Sequence, residues 1–342
     1  MTVAVQEAAE PSGNDLPLFG EGPMWTPEIE RDCLKVVHWV RCDYPGGVIY
    51  GGQHIGKTFF AQYVQGVLES MLGPDVIWFS WLTEENLKKT REDCCRDWLR
   101  HSGSENYNQT KRLPLQTTLY QHLERSANAV GANRIIIVID DAQWILADHY
   151  ALLMIVCNEL KEKGKRPFVL QVGQPQLKQT KKNFIAEEKH QLVARFFQVM
   201  HEFLPLQLSD LAPFLAELEK GHANGFSTEF LPHLASHGWR FVDVAGPLET
   251  AIRTLAVTQN IKDQVLVPMS LLRSILASLV YQLRADRMLK TVSAEMAYSA
   301  LVECNFAEVM KHYVKPLAGL ASEQVATAEP PAAAPPLQAS PP

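Results

Sequence analysis

The chain has 342 residues, 46% of them hydrophobic and 20% charged, with a formal net charge of -6. That is enough apolar material for one large core or two smaller ones, and the acidic balance excludes a protein that coats nucleic acid by bulk charge. The longest apolar stretch, Val265 to Leu283, is interrupted by Arg273 and Gln282, and no secretory signal is visible, so the expectation is a cytoplasmic protein with no membrane partner.

Residues 1–24 are rich in small, acidic and turn-forming types and are expected to be flexible, with Phe19 and Trp25 able to dock elsewhere. Pro27 to Arg41 carries a helical pattern with Thr26 as its cap. Gly47-Val48-Ile49-Tyr50 reads as the end of a buried strand. The run Gly51-Gly52-Gln53-His54-Ile55-Gly56-Lys57-Thr58 then fills the G-x-x-x-x-G-K-[ST] pattern of a phosphate-cradling loop, and Phe59 lies in the helix that follows. Glycines let successive N–H groups turn inward around a phosphate, and the helix N-terminus adds a favourable dipole. Lys57 is placed to reach the β- and γ-phosphates of a bound nucleotide, and the Thr58 hydroxyl is a natural Mg²⁺ ligand.

Asp75 to Trp81 reads as the next strand. It is followed by a basic patch, Lys88-Lys89-Thr90-Arg91, with Arg96 and Arg100 beyond it; acids are mixed in throughout. Arg134 to Ile139 is a β-branched run closed by Asp140 and Asp141, as expected of a central parallel strand whose tip lies at the ligand-binding edge of an α/β sheet. There Asp140 would hold Mg²⁺ and Asp141 would act as general base on the attacking water. Pro167 to Gly173 is a further strand, and Lys178 with Lys181-Lys182 forms a second basic patch on the segment after it.

From Leu208 onward strand signals fade, and 210–220, 227–236, 243–258, 268–286 and 293–314 all read as helices. The expected organisation is a flexible segment 1–24, an α/β nucleotide-binding domain 25–206, an all-helical domain 207–318 and a disordered tail 319–342 rich in Pro and Ala. Six cysteines without a C-x-x-C pair read as reduced structural thiols. The spaced pair His233 and His237 has Leu234 where a zinc protease helix carries its glutamate, so no metal beyond nucleotide-bound Mg²⁺ is indicated.

Four segments together carry a resemblance: the phosphate loop 51–58, Ile137 to Gln143 (I-V-I-D-D-A-Q), Leu170 to Leu177 (L-Q-V-G-Q-P-Q-L) and Leu192 to Phe197 (L-V-A-R-F-F). They resemble the AAA+ ATPases that regulate DNA transposition, the TnsC and TniB type, over roughly residues 26–260. The resemblance implies an α/β P-loop ATPase fold, a parallel sheet flanked by helices followed by an α-helical lid, with ATP and Mg²⁺ as cofactors. Gln174 falls where that family places a polar sensor of the γ-phosphate, and Arg195 where it places an arginine that reaches a neighbouring subunit's nucleotide. A second sensor arginine falls at Arg240 or Arg253, and Lys88, Lys89, Thr90 and Arg91 fall where the family faces duplex DNA. Asp141 stands where most AAA+ proteins carry Glu. Family members assemble with ATP into rings or helical filaments on double-stranded DNA and bridge a target-selector protein to a transposase. Two other readings fit the same motifs: a helicase loader or insertion-sequence helper, and a signalling NTPase that never touches DNA.

Overall fold

In the computed structural model, which describes residue 19 and residues 24–83, 85, 90–108, 115–222 and 224–315, Thr26 turns the chain into its first helix. The Thr26 hydroxyl accepts from the Ile29 N–H at 3.1 Å, and the proline that follows needs no donor partner at the first helical position, so α1 runs Pro27–Arg41 as the sequence predicts. The α/β part then alternates: β1 Gly46–Tyr50, α2 Lys57–Leu72, β2 Val76–Leu82, α3 Arg91–His101, α4 Leu115–Ala129, β3 Arg134–Asp140, α5 Ala147–Glu162, β4 Arg166–Gly173, α6 Gln176–Ala186, α7 His190–Phe196 and β5 Val199–Glu202. The five strands form one parallel sheet in the order β2-β3-β4-β1-β5.

Why β3 sits inside follows from its side chains. Ile135, Ile137 and Ile139 point to one face, against Trp81, Trp98, Leu123 and Tyr150; Ile136 and Val138 point to the other, against Phe60, Val64 and Val36. All five are completely buried, each contributing on the order of 1.5–3 kcal/mol of transfer free energy. A continuous β-branched run is what a strand covered on both faces requires. Since β4 lies between β1 and β3, Gly173 aligns with Tyr50 while Gln171 aligns with Ile139. The loops after β1, β3 and β4 therefore open on one edge of the sheet.

The C-terminal part corrects the expectation of an all-helical domain. Its helices are α8 Leu211–Lys220, α9 Phe226–Phe230, α10 Pro232–Ala235, α11 Ala245–Thr258, α12 Met269–Ala285, α13 Ala294–Glu303 and α14 Phe306–Met310. They share the region with a small antiparallel sheet of β6 Leu206–Gln207, β7 Gln264–Val267 and β8 Val314–Lys315. The apolar stretch from Val265 is thus a strand, a proline and then a helix. The helix expected at 227–236 divides at Leu231, which takes an extended φ of -135° ahead of Pro232, and that expected at 293–314 divides at Asn305, whose φ is 53°. An aromatic cluster centred on Phe226, in ring contact with Phe19, Phe230 and Phe241, organises this core. Phe19 is docked there as the sequence allowed, and Trp25 donates to Glu30 at 3.2 Å. Among the described residues all six cysteines are free, and no helix is long and apolar enough to cross a membrane.

Candidate nucleotide site

The loop between β1 and α2 is shaped by its glycines. A Cβ on Gly51 would lie 2.5 Å from both the Ile55 Cδ1 and the Phe203 carbonyl oxygen, so only glycine fits as the strand ends. Gly56 caps α2 with φ 102°, and His54 also takes a positive φ of 58°. Gly51, Gly52 and the buried Ile55 form the frame of the loop, while Gln53, His54, Gly56, Lys57, Thr58 and Phe59 line a cavity of about 440 Å³.

Asp140 and Asp141 reach the same cavity from the tip of β3, and Gln174 from the end of β4. Lys57 is nearly buried and donates to the Gly52 carbonyl oxygen; burial lowers its pKa, against the opposing pull of Asp140 and Asp141. Burial raises the Asp140 pKa, offset by hydrogen bonds from the Asp141 N–H, at 3.0 Å, and from the Thr58 hydroxyl. A buried lysine facing two carboxylates beside a hydroxyl is a cluster built around charge that a phosphate and a cation would complete.

Asp141 is held from two sides. Its backbone is left-handed, φ 51° and ψ 37°, and Gln143 donates from Nε2 to its Oδ1 at 3.0 Å. The Gln143 Oε1 in turn accepts from the Gln174 N–H at 3.0 Å, and Gln53 donates to the Gln174 side chain at 3.4 Å. Thr83, just past β2, caps the same turn: its hydroxyl lies 2.9 Å from the Asp140 carbonyl oxygen and 2.6 Å from that of Asp141. The two acids and Gln174 therefore form one connected unit.

The helical region closes the other side. Met269, Ser270 and Arg273 of α12 line the cavity together with Met24 and Ile29, so apolar side chains share its lining with the polar groups at Lys57 and Asp140. Arg273 lies over the rings of Phe19 and Phe59, 6.0 and 5.9 Å from their centres, and donates to the Phe19 carbonyl oxygen at 3.1 Å. Ser270 donates to the His54 carbonyl oxygen at 3.3 Å and Tyr313 to that of Gln53 at 2.6 Å, both on the loop itself.

Residues 44–180 match the family model described as an AAA domain. The ORC2 protein of Aeropyrum pernix, in its ADPNP-ADP complexes, superposes with a TM-score of 0.53 at 13% identity, covering 84% of this chain and 71% of that one. The ADP form of the same protein gives 0.55 at 14% identity over 84% and 72%. The Cdc6p protein of Pyrobaculum aerophilum gives 0.51 at 15% identity over 82% and 68%. The fold is that of a AAA+ P-loop ATPase. No curated protein matches the sequence.

Within that AAA+ fold, the remaining expected site residues lie outside the cavity or outside the described residues. Neither Arg240 nor Arg253 lines the cavity: Arg240 donates to the carbonyl oxygens of Ala235 and Trp239, and Arg253 pairs with Glu249 at 2.6 Å. Among the described residues, the arginine of the helical region that lines the cavity is Arg273. Its replacement by alanine is expected to weaken nucleotide binding about tenfold, the scale of one charge-assisted hydrogen bond, with Arg240→Ala and Arg253→Ala within about twofold of the parent in a fluorescent-nucleotide titration. Arg195, on α7, lies away from its own cavity and donates to Asn158 Oδ1 at 2.6 Å. Of the expected DNA patch, Lys88 and Lys89 lie outside the described residues. Thr90 is occupied as the cap of α3, in a reciprocal box with Asp93, and Arg91 pairs with the exposed Asp148 at 3.2 Å. In the second patch, Lys178 lies 4.4 Å from the centre of the Tyr50 ring.

Proposed function

We propose that the chain is an ATP-hydrolysing AAA+ regulator of DNA transposition, which assembles with ATP on double-stranded DNA and links a target-selector protein to a transposase. The observation that carries the ATPase half is the connected unit of Asp141, Gln143 and Gln174 facing Lys57 and Thr58 across one cavity. The apolar side chains of Met24, Ile29 and Met269 offer a surface to the base, and Lys57 and Arg273 offer positive charge to the phosphates. Thr58 and Asp140 offer an all-oxygen pair suited to Mg²⁺, which when bound neutralises charge on the β- and γ-phosphate oxygens. Asp141 takes a proton from the attacking water, and Gln174 orients that water toward the γ-phosphate.

The assembly half rests on Arg195 and on the sequence resemblance. Arg195 does not line the cavity of its own chain and donates to Asn158, which agrees with the role toward a neighbouring copy's nucleotide that the resemblance implies. An acidic chain that binds DNA only when copies line up needs few basic side chains per subunit, since each phosphate contact releases counterions and the contacts add along the filament. The test is fluorescence anisotropy of a labelled random-sequence duplex, titrated with protein in a non-hydrolysable ATP analogue, in ADP and without nucleotide. Steep, salt-sensitive binding confined to the ATP analogue is expected. Absence of binding in all three states would rule out the DNA-bound regulator and leave a protein-directed NTPase.

A further inference from the structure

Three ligating side chains meet between α1 and β5, outside the nucleotide cavity. Glu28 and Asp32 stand four apart on the buried face of α1, one above the other, and His201 comes from β5. One ligating atom from each lies within 4.8 Å of the other two. Asp32 is fully buried, yet among the described residues its Oδ2 has no hydrogen-bond partner. A buried carboxylate oxygen in that condition calls for an explanation.

The protons around the cluster do not add up either. The His201 Nε2 lies 2.9 Å from the Asp32 Oδ1 and 2.7 Å from the Lys35 Nζ. Toward the carboxylate that nitrogen must carry a hydrogen; toward the ammonium it must offer its lone pair. One nitrogen cannot do both. Lys35 also contacts the Asp32 Oδ1 at 3.1 Å, so a single ammonium is asked to satisfy a buried acid and a histidine from the end of a side chain that is 43% exposed.

We propose that Glu28, Asp32 and His201 bind a divalent transition cation of the zinc class, for which the Lys35 ammonium is the competitor. The cation accepts the Nε2 lone pair and both carboxylates together and gives the Asp32 Oδ2 a partner, while Lys35 turns to water on its flexible stem. Arg31 pairs with the Glu28 Oε2 and with Asp210 at 2.7 Å, so a metal at Glu28 shares that carboxylate with a guanidinium. One imidazole with two carboxylates selects against Mg²⁺ and Ca²⁺, which take oxygen ligands. Ile29, between the two acids in sequence, lines the nucleotide cavity, so a cation here pins the wall of that cavity to the edge strand of the sheet.

The test uses the full chain without nucleotide, with Cys42 and Cys304 changed to serine so that accessible thiols take no metal. Zinc per chain is counted by mass spectrometry after dialysis, and thermal unfolding is followed with and without zinc. The parent is expected to hold one zinc and to melt higher with it. His201→Gln, at a part-exposed position that leaves folding intact, should lose both effects while keeping its zinc-free melting temperature within a few degrees; Lys35→Ala should bind zinc about tenfold more tightly than the parent. If the parent and Lys35→Ala take up no zinc, if His201→Gln binds as the parent does, or if Lys35→Ala binds no more tightly, the trio is an ion cluster that fastens α1 to β5, and the metal site is overturned.

Discussion

Lys57→Ala is expected to lower nucleotide affinity by about two to three orders of magnitude and to remove hydrolysis, because the lysine makes charge-assisted contacts worth roughly 1.5–3 kcal/mol each. Its position is the reason for so large a figure. The ammonium is nearly buried at the start of α2, and Asp140 and Asp141 line the same cavity. Without it, those two carboxylates face an incoming triphosphate with no intervening positive charge, and like charges repel at short range with little water to screen them. A fluorescent-nucleotide titration with a phosphate-release assay reads both effects. Binding by the variant within about threefold of the parent would mean that the triphosphate lies elsewhere.

Asp141→Asn should separate binding from chemistry. An amide cannot take the proton of an attacking water, and general-base catalysis of this kind is worth about 10²–10⁴ in rate. The substitution leaves the frame undisturbed. An asparagine oxygen still accepts from Gln143, and asparagine tolerates the left-handed backbone at this position, φ 51°, readily. Nucleotide affinity should therefore stay within about twofold of the parent while hydrolysis falls at least about a hundredfold. Gln143→Leu offers a graded comparison, since it leaves the carboxylate in place and removes only the hydrogen bonds that orient it and Gln174. A variant Asp141→Asn that turned over at the parental rate would take the general-base role away from this residue.

What could be read from the chain was what is local. The phosphate loop is eight consecutive residues, and the tip of β3 is an apolar run that stops at two acids; in each the chemistry and the backbone signal coincide. Gln174 was reached only through the family resemblance of the segment Leu170 to Leu177. Arg273 was not, because nothing in the pattern of α12 distinguishes a charged residue facing solvent from one facing a site more than two hundred residues earlier in the chain. Gln143 and Thr83 act by holding backbone or side-chain atoms of other residues, a role that leaves no compositional mark. The small sheet escaped for another reason: strands of two to four residues are too short to show alternation, and β7 runs through one proline into an apolar helix. Asn305 is a local sign of a break, because asparagine takes the left-handed backbone more readily than most residues, but the helical spacing of apolar residues on both sides of it masks that sign.

The hydrogen bond from Tyr313 to the Gln53 carbonyl oxygen joins one of the last described residues to the loop that would hold the phosphates. The chain leaves the large sheet after β5, builds the helical region and comes back to the place where it left the first strand. A lid fixed along one edge behaves as a door, whereas one fastened at both ends behaves as a clasp. Tyr313 immediately precedes β8, which pairs with β7, so the small sheet and the phosphate loop hold one another in place.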